Sequence, residues 1–538
     1  MRASRTMRPW LWAMCALVLL SCDRRERDTQ LHTIAFAGDT ILGRSVNTLV
    51  ERHGVDWPLR EVRESLAGAD LTVVNLECVI AAGGAHAGLQ RGARAYLRGR
   101  PELVGTLAGA GIDIASLANN HGGDYGPDAV LESIRWLSEA GVSPLGVGAN
   151  ADAATAPVYR QLGGTTVGFV GVQTMVRSSR ATGKRAGTNH VGARNADEFV
   201  AEVKRQVKRA RRHADLVLLV IHWGPNNRER PSEHHRTLAR RFVREAGIDG
   251  LLGSSAHLLQ GIEVIDGRPI IYDAGNLVLD WRATRPWTHR SAIFVLHANN
   301  HGIARVEVKP TTLFLGHTRM ATEKEGAKIL ERLDMLSREL GTTLAIEGDR
   351  ASLELVRPQP PPLAPDPYRP PAEAPPAPRM PDWSSYQPAV VVERLPASAT
   401  PLRVRFEQGF ELLGYELPRE IDRKLGVNVA TYWRASESPS RSYRIFLELH
   451  RVLPDGGTKR ALRGQEHQPA DWMYPTTRWQ PGEIVRDFFH IRTPAGLKKP
   501  TTYEVIVGLL GGRRRLKVLD AAQHDGKHAV SLGKVTRR

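Results

Sequence analysis

The stretch GIDIASLANNHGGDYG, residues 111–126, joins a short apolar run to a dense set of polar residues. The run IASLA is typical of a short strand, and it is followed by Asn119, Asn120, His121 and Asp124. Taken alone, an Asn or Asp at a strand end is usually a turn or cap residue. Open α/β sheets also place their ligand sites just beyond the carboxyl ends of strands. The stretch therefore predicts a strand of an α/β sheet, followed by a loop that carries candidate site residues.

The same pattern repeats between residue 33 and about residue 357, where apolar β-branched runs alternate with amphipathic segments. The predicted strands are TIAFAG (33–38), LTVVNLE (71–77), DIASLANN (113–120), TTVGFVGV (165–172), DLVLLVIHWG (215–224), IDGLLG (248–253) and PIIYDAGN (269–276). Residues 195–215 carry Val200, Val203, Val207 and Ala210 at helical spacing. This alternation predicts an α/β fold in which helices cover a sheet.

The second half of the chain has a different character. Residues 357–387 are rich in proline, which favours an extended, semi-rigid linker. Residues 388–538 contain short apolar runs separated by turn residues, and this spacing predicts an all-β sandwich domain.

The N-terminal segment resembles a bacterial lipoprotein signal peptide, residues 1–22, with an arginine-rich start and an apolar run too short to span a bilayer. The segment ends in LLSC, so Cys22 is predicted to be lipidated, and Asp23 resembles an inner-membrane retention signal. We expect an extracytoplasmic protein that is lipid-anchored to the cell membrane, on the periplasmic side of the inner membrane. A plain cleaved signal peptide is the alternative.

The formal net charge of +17 and the isoelectric point near 10.0 favour polyanionic partners. The alternative is a general use of arginine on solvated surfaces. No dense Lys/Arg tract or nucleic-acid motif is present, so no nucleic-acid partner is predicted.

Polar residues follow several predicted strands, and together they form a mixed oxygen and nitrogen donor set. Each residue alone is better explained as a cap, a turn residue or a core histidine. As a group they suit a divalent transition metal, because strand ends of one sheet converge. The predicted metal ligands are Asp39, Glu77, Asn120, His222 and His257.

Three further residues are predicted to take part in the chemistry. His121 is a candidate proton donor to a leaving group, Asp124 is a candidate partner that orients His121, and Arg44 offers a forked donor to phosphate or carboxylate.

The chain resembles the CapA family of poly-γ-glutamate capsule proteins from about residue 33 to 310. The resemblance is carried, in order, by GDTILGR (38–44), NLE (75–77), YLRGRPE (96–102), residues 111–126, GVGANADAATAP (146–157), HWGPNNRERPS (222–232) and residues 251–280. It implies a metallophosphatase-like (calcineurin-like) α/β/β/α sandwich over residues 33–356. It also implies one or two Mn, Zn or Fe ions on the five predicted ligands, with proton transfer at His121.

Two positions depart from the family pattern. Ser255 stands where the family has the first histidine of Gly-x-His-Pro-His, and Asn226 stands where it favours glutamate. Both changes remove a donor, which favours a one-metal, water-completed or degenerate site. His234 and His235 are candidate substitutes, although surface histidines on a helix are the simpler interpretation.

Three functions remain open at this point. The first is metal-assisted hydrolysis or transfer in the synthesis, release or export of an anionic capsular polymer or its precursor, alongside capsule synthesis or export proteins. The second is a non-catalytic polymer-binding or assembly role, and the third is a periplasmic metallophosphodiesterase.

The C-terminal region resembles a β-sandwich appended to bacterial envelope glycosyltransferase-type proteins. Trp472, Tyr474 and Trp479 are candidates to stack on sugar rings, with packing in the core as the alternative.

Overall fold

The computed structural model describes residues 30–83, 96–192, 195–281, 287–356, 390–418, 420–421, 427–460, 465–491, 500–520 and 528–537. Cys22 and the proline-rich segment 357–387 lie outside the described residues. Across the described ranges, no helix combines the length and the apolar character that crossing a bilayer requires.

Strands and helices are mixed in the first part of the chain. The strands are β1 His32–Thr40, β2 Leu71–Leu76, β3 Val79–Ile80, β4 Arg98–Gly99, β5 Ile114–Ser116, β6 Ser143–Leu145, β7 Val147–Gly148, β8 Val158–Leu162, β9 Thr165–Gln173, β10 Gly187–Thr188, β11 Leu216–His222, β12 Gly250–Ser254, β13 Ile262–Ile265, β14 Arg268–Ile271, β15 Asn276–Val278, β16 Arg290–Asn299, β17 Gly302–Phe314, β18 His317–Met320, β19 Ala345–Glu347 and β20 Arg350–Glu354. The helices are α1 Ser45–His53, α2 Arg63–Ala67, α3 Val104–Gly109, α4 Gly126–Glu139, α5 Ala151–Ala154, α6 Ala196–Arg211, α7 Glu233–Arg241 and α8 Glu323–Arg338.

Two large sheets hold these elements together. The first has the strand order β19-β20-β17-β16-β1-β2-β5-β6, with β15 beside β1 and β18 beside β17. The second has the order β13-β14-β12-β11-β9-β8. Strands β1, β2, β5 and β6 run parallel in the first sheet, and β9, β11, β12 and β14 run parallel in the second. The carboxyl ends of the parallel strands therefore lie together at the same end of each sheet.

Strand β1 shows how the sheets pack. Ile34 and Phe36 belong to an apolar cluster that also contains Phe169 of β9 and Leu218 of β11, so this face packs against the second sheet. Ala35 belongs to a different cluster, shared with residues of α1 and α4. A strand buried on both faces explains why its sequence is almost continuously apolar.

Helix α6 lies within the predicted amphipathic segment 195–215 and ends four residues before that segment does. The Asn195 side chain accepts a hydrogen bond of 3.0 Å from the backbone N–H of Glu198, which caps the first turn. Val203 and Val207 are buried against the outer face of the second sheet. Strand β5, in contrast, is only three residues long, because the chain turns into the Asn119 loop earlier than expected.

The C-terminal region contains strands and no α-helix among its described residues. The strands are β21 Val391–Val392, β22 Thr400–Arg405, β23 Phe410–Glu416, β24 Glu420–Ile421, β25 Val427–Ala435, β26 Arg444–Val452, β27 Thr458–Arg460, β28 Gln465–His467, β29 Ile484–Ile491, β30 Thr501–Gly511, β31 Arg514–Arg515 and β32 Val530–Arg537. They form one sheet ordered β21-β29-β25-β23-β22 and another ordered β24-β32-β30-β26-β27. Trp433 and Leu447, from different sheets, share one buried cluster. The prediction of a mixed α/β part followed by a β-rich part is confirmed.

The aromatic residues proposed to bind sugars fall into two groups. Trp479 is fully buried and Tyr474 is 8% exposed, and both belong to the C-terminal core, which confirms the packing alternative for these two. Trp472 is half-buried.

The packing of the two large sheets predicts that shortening a side chain in their contact lowers stability more than shortening an exposed one. Phe169→Ala removes a fully buried ring from this contact, and we expect the free energy of unfolding to fall by about 3–5 kcal/mol. Leu131→Ala, at a position 43% exposed on α4, is the control, and its effect should stay within about 0.5 kcal/mol. Urea denaturation followed by circular dichroism measures both. Equal losses from the two variants would contradict this packing.

Candidate metal centre

The five predicted ligands lie where the parallel strands of both large sheets end. Asp39 is near the end of β1, Glu77 follows β2, and Asn120 comes four residues after β5. His222 is the last residue of β11, and His257 follows β12. All except the half-buried Asn120 are at most 5% exposed.

Asp39, Glu77 and His257 form a compact triad. Each offers one ligand atom, and these atoms all lie within 4.8 Å of one another. The His257 Nδ1 atom is 2.9 Å from Asp39 Oδ2 and 3.8 Å from Glu77 Oε2. Glu77 Oε2 is buried and has no hydrogen-bond partner among the described residues. A buried carboxylate oxygen without a donor, beside a second carboxylate and an imidazole, fits a divalent cation.

The local backbone explains why these side chains can approach. Asp39 N donates a 2.9 Å hydrogen bond to the carbonyl oxygen of Gly275, and a Cβ on Gly38 would lie only 2.1 Å from that oxygen. Ser255 and His257 adopt φ values of 126° and 59°, in the region that favours glycine. Such strained turns persist where surrounding contacts hold them, and here the turn directs His257 back towards β1.

His222 faces both carboxylates of the triad. Its Nδ1 atom is 3.8 Å from Asp39 Oδ1, and its Nε2 atom is 3.9 Å from Glu77 Oε1. Nδ1 also lies 3.1 Å from Asn75 Nδ2 and 3.1 Å from Ser254 Oγ. The two oxygens of Glu77 therefore face different imidazoles, Oε2 towards His257 and Oε1 towards His222.

The charges of the triad influence each other strongly. Burial, together with the negative charge of Asp39, raises the pKa of Glu77 to about 7. Burial also opposes ionisation of Asp39, but the neighbouring His257 outweighs it and holds the pKa of Asp39 below its usual value. Burial alone would lower the pKa of His257, but Glu77 and Asp39 raise it to about 10. The imidazolium therefore supplies the positive charge that the two carboxylates require.

Burial has the opposite result at His222, because the attraction of the nearby Asp39 does not outweigh it. It lowers the pKa of His222 to about 4, so this imidazole is neutral near pH 7. A neutral imidazole is the form that binds metal.

His121 and Asp124 form a hydrogen-bonded pair beside Glu77. His121 Nδ1 is 2.6 Å from Asp124 Oδ2, and His121 Nε2 is 3.9 Å from Glu77 Oε1. Burial opposes protonation of His121, but Asp124 outweighs it and raises the pKa of His121 above its usual value. The Asn119 side chain fixes this loop, because it donates to the Leu76 carbonyl and accepts from the His121 N–H.

Arg44 is placed differently from the sequence expectation. Both arms of its fork donate to the carboxylate of Asp280, and its guanidinium lies 5.7 Å from the ring of Trp281. The fork that was predicted to bind a substrate anion is thus engaged by a side chain of the protein itself.

The two departures from the family pattern have different environments. Ser255 is buried, and its hydroxyl donates to the Gly224 carbonyl at 2.9 Å, whereas Asn226 is exposed. His234 is exposed, and His235 packs on Trp223 with ring centroids 4.8 Å apart. Neither histidine belongs to the triad found among the described residues.

Two supporting residues were missed by the sequence analysis. Asn276 Oδ1 lies 2.9 Å from His257 Nδ1, while its amide donates to the His257 carbonyl at 3.0 Å. Asp273 accepts from the backbone N–H groups of Ala256 and Gly275, and burial raises its pKa well above the usual value. Both residues lie in the second half of the predicted strand PIIYDAGN, after its apolar residues, and this position was the available signal.

Comparisons with known proteins agree with the resemblance in the sequence. Residues 33–281 match the family model described as bacterial capsule synthesis protein PGA_cap. The capsule biosynthesis protein CapA of Bacillus anthracis is 28% identical over 55% of this chain and 71% of its own length. The PGA biosynthesis protein CapA of Bacillus subtilis (strain 168) is 28% identical over 60% of this chain and 82% of its own.

A third relative, from Mycobacterium tuberculosis (strain ATCC 25618 / H37Rv), bears the name probable polyglutamine synthesis accessory protein. It is 24% identical and covers 60% of this chain and 96% of its own length. The region that matches the family model, residues 33–281, contains both the triad and the His121–Asp124 pair. Residues 33–281 therefore match the bacterial capsule synthesis protein family, and the two Bacillus relatives of this chain bear the name CapA.

Proposed function

We propose that this chain is a metal-dependent enzyme that acts on an anionic capsular polymer of the poly-γ-glutamate type, by hydrolysis or transfer. The observation that carries the proposal is the buried triad of Asp39, Glu77 and His257, in which Glu77 Oε2 has no hydrogen-bond partner among the described residues. The names of the Bacillus relatives, which refer to capsule and PGA biosynthesis, support the choice of polymer.

The donor set suits Mn, Zn or Fe, because it combines carboxylates with imidazole. Asp39, Glu77 and His257 would hold one ion, which would replace the proton on His257 as the positive charge between the two carboxylates. The second oxygen of Glu77 faces His222, so these two residues, with Asn120, are the ligands we propose for a second position. The resemblance to CapA supports a metallophosphatase-like α/β/β/α arrangement around this centre. When bound, a divalent ion supplies an acidic water and polarises a substrate oxygen.

His121 is the proposed proton donor to the leaving group. The neighbouring Asp124 orients the ring through Nδ1 and favours its protonated form, which leaves Nε2 directed to the Glu77 side of the centre. A positioned imidazole of this kind contributes about 10²–10⁴-fold to a rate.

A groove beside His222 offers room for an extended chain. It has a volume of about 750 Å³, and its lining includes the basic Arg177 and Arg180, the aromatic Trp223 and His235, and one acidic residue, Glu198. Trp223 follows His222 directly, and Thr174 N donates to the His222 carbonyl at 3.2 Å, which connects the groove to the centre. Positive charge along such a groove favours an anionic polymer.

The location proposed for this activity is the periplasmic side of the inner membrane, with Cys22 as the lipid anchor. The net charge of +17 supports contact with a polyanion at that surface. Capsule synthesis or export proteins are the proposed protein partners.

Metal binding provides the first test. Asp39→Asn and His257→Ala should each weaken binding of Mn or Zn at least tenfold, because losing a group that only orients a ligand already costs about 10–100-fold. His234→Ala, at an exposed position of α7, is the matched control and should bind like the parent protein. Metal content by mass spectrometry and calorimetric titration measure the effect. Full binding by the Asp39 and His257 variants would rule out this centre.

Proton transfer provides the second test. His121→Gln should lower the rate of γ-glutamyl oligomer cleavage by about 10²–10⁴-fold while metal content stays unchanged. A model phosphodiester is assayed in parallel. Turnover of only the phosphodiester would favour the metallophosphodiesterase alternative, and turnover of neither substrate by the metal-loaded protein would favour a binding role.

Lipidation provides the third test. Cells that express the chain with Cys22→Ala should fail to incorporate labelled palmitate into it, and the protein should leave the membrane fraction. Cys15→Ala alters a cysteine within the apolar run and is the control, with labelling expected to remain. Equal labelling of both variants would contradict the anchor.

A further inference from the structure

One loop of the C-terminal region reaches the α/β part of the chain beside the candidate metal centre. This loop, residues 468–474, contains three consecutive non-glycine residues in the left-handed region, with φ values of 57°, 55° and 69° at Ala470, Asp471 and Trp472. Each such residue costs about 1–2 kcal/mol. Backbone strain of this size persists only where other contacts impose it, and it is concentrated at functional sites.

The contacts that impose this loop shape come from its own domain. Ala470 N donates to Asp487 Oδ1 at 2.8 Å, and Asp487 also lies 2.9 Å from His467 Nε2. Trp472 N donates to the Gln468 carbonyl at 2.8 Å. The loop is therefore held in one shape by β28 and β29, with Asp471 at its tip.

Asp471 accepts a hydrogen bond from a tyrosine of the α/β part and is attracted by two of its arginines. The Tyr125 hydroxyl donates to the Asp471 carboxylate. Arg98 lies beside them, because its guanidinium carbon is 4.2 Å from the centre of the Tyr125 ring and its Nη2 donates to the Ala470 carbonyl at 3.4 Å. Arg98 and Arg44 both attract the Asp471 carboxylate electrostatically.

This carboxylate lies close to the proposed chemistry. Tyr125 directly follows Asp124, which is 2.6 Å from His121 Nδ1. The opposite nitrogen of His121 is 3.9 Å from Glu77. Arg98 is one residue from Leu97, whose N–H donates to Asp124 at 2.8 Å. The group that binds Asp471 is thus built from the same segments that position His121.

We propose that Arg98 and Tyr125 form a carboxylate-binding subsite next to the candidate metal centre, and that Asp471 fills it until a pendant carboxylate of an anionic polymer replaces it. The choice of polymer rests on the proposed function. The subsite fits a chain that carries a free carboxylate on each unit, because an arginine and a phenol hydroxyl are matched donors for that group.

The Asp471 contact is well suited to replacement. Burial raises the pKa of Asp471 to about 6, and Asp487 and Asp124 add to this, against the attraction of the two arginines. A partly compensated buried carboxylate contributes little net stability. It can therefore be replaced by a carboxylate with more favourable surroundings.

Other contacts between the described residues of the two regions are also polar. Arg478 lies 2.9 Å from Glu51 and 3.7 Å from Glu102, and Arg100 of the α/β part lies 2.6 Å and 2.7 Å from the same two glutamates. The Tyr96 and His490 rings meet edge to face at 5.6 Å. Polar contacts of this kind are typical of domain interfaces that open.

The test measures binding of a fluorescein-labelled γ-linked glutamate decamer to the full chain by fluorescence anisotropy. Asp471→Asn keeps an oxygen that can accept from Tyr125 but removes the competing charge, so affinity should rise by about five- to tenfold, since the open form becomes more populated. Asp455→Asn is the control, because Asp455 lies in an exposed turn and its loss changes the net charge by the same amount. No gain from Asp471→Asn, or an equal gain from Asp455→Asn, would overturn the proposal.

Two further arms test the chemistry of the subsite. A decamer whose pendant carboxylates are amidated should show no gain with Asp471→Asn, and a gain there would show that the subsite does not select carboxylates. Adding Tyr125→Phe to Asp471→Asn should reverse most of the gain, while the thermal melting curve confirms that the variant is folded. An undiminished gain in the double variant would remove Tyr125 from the subsite.

The binding assay separates this inference from the proposed function. If inactive or metal-free protein still gains affinity for the charged decamer, the proposed enzymatic function would be wrong and the carboxylate subsite would be supported. If active, metal-loaded protein shows no gain in affinity on Asp471→Asn, the proposed subsite would be wrong and the enzymatic function would be supported.

Discussion

The contact between Asp39 and His257 is the constraint around which the rest of the site is arranged. It joins the end of β1 in the first sheet to the turn after β12 in the second, and it places a fully buried carboxylate against an imidazole. A buried charge is tolerated only when it is paired and hydrogen-bonded. Asn75 and Asn276 supply those hydrogen bonds, and the strained turn at His257 supplies the direction.

The sequence predicted the strands and the residues at their ends well, because both signals are local. Glu77 and His121 follow apolar runs that are visible without any structure. Pairing between the sheets is not local, so nothing in the pattern showed that His222 and His257 come from a second sheet that packs on the first. The engagement of Arg44 by Asp280, 236 residues away, was invisible for the same reason.

The C-terminal region shows the limit of sequence patterns more sharply. Its strands were predictable from alternation and turn residues, and its function was sought in aromatic residues. Trp479 and Tyr474 are instead core residues. Asp471, in the sequence PADW, is one of the side chains that reach the other region. Ala470, Asp471 and Trp472 adopt the left-handed backbone conformation that presents this carboxylate. Since none of them is glycine, the sequence did not indicate this conformation.

The place of β1 in the chain gives the proposed lipid anchor a consequence for the distance between the site and a membrane. With Cys22 as the anchor, nine residues separate the lipid from His32, the first residue of β1. A fully extended chain of this length spans about 35 Å at most. The strand that this stretch leads into is a central strand of the first sheet and carries Asp39, so the proposed anchor would be joined directly to the element that holds the site. If Cys22 is lipidated as proposed, the candidate metal centre would stay within reach of the bilayer surface.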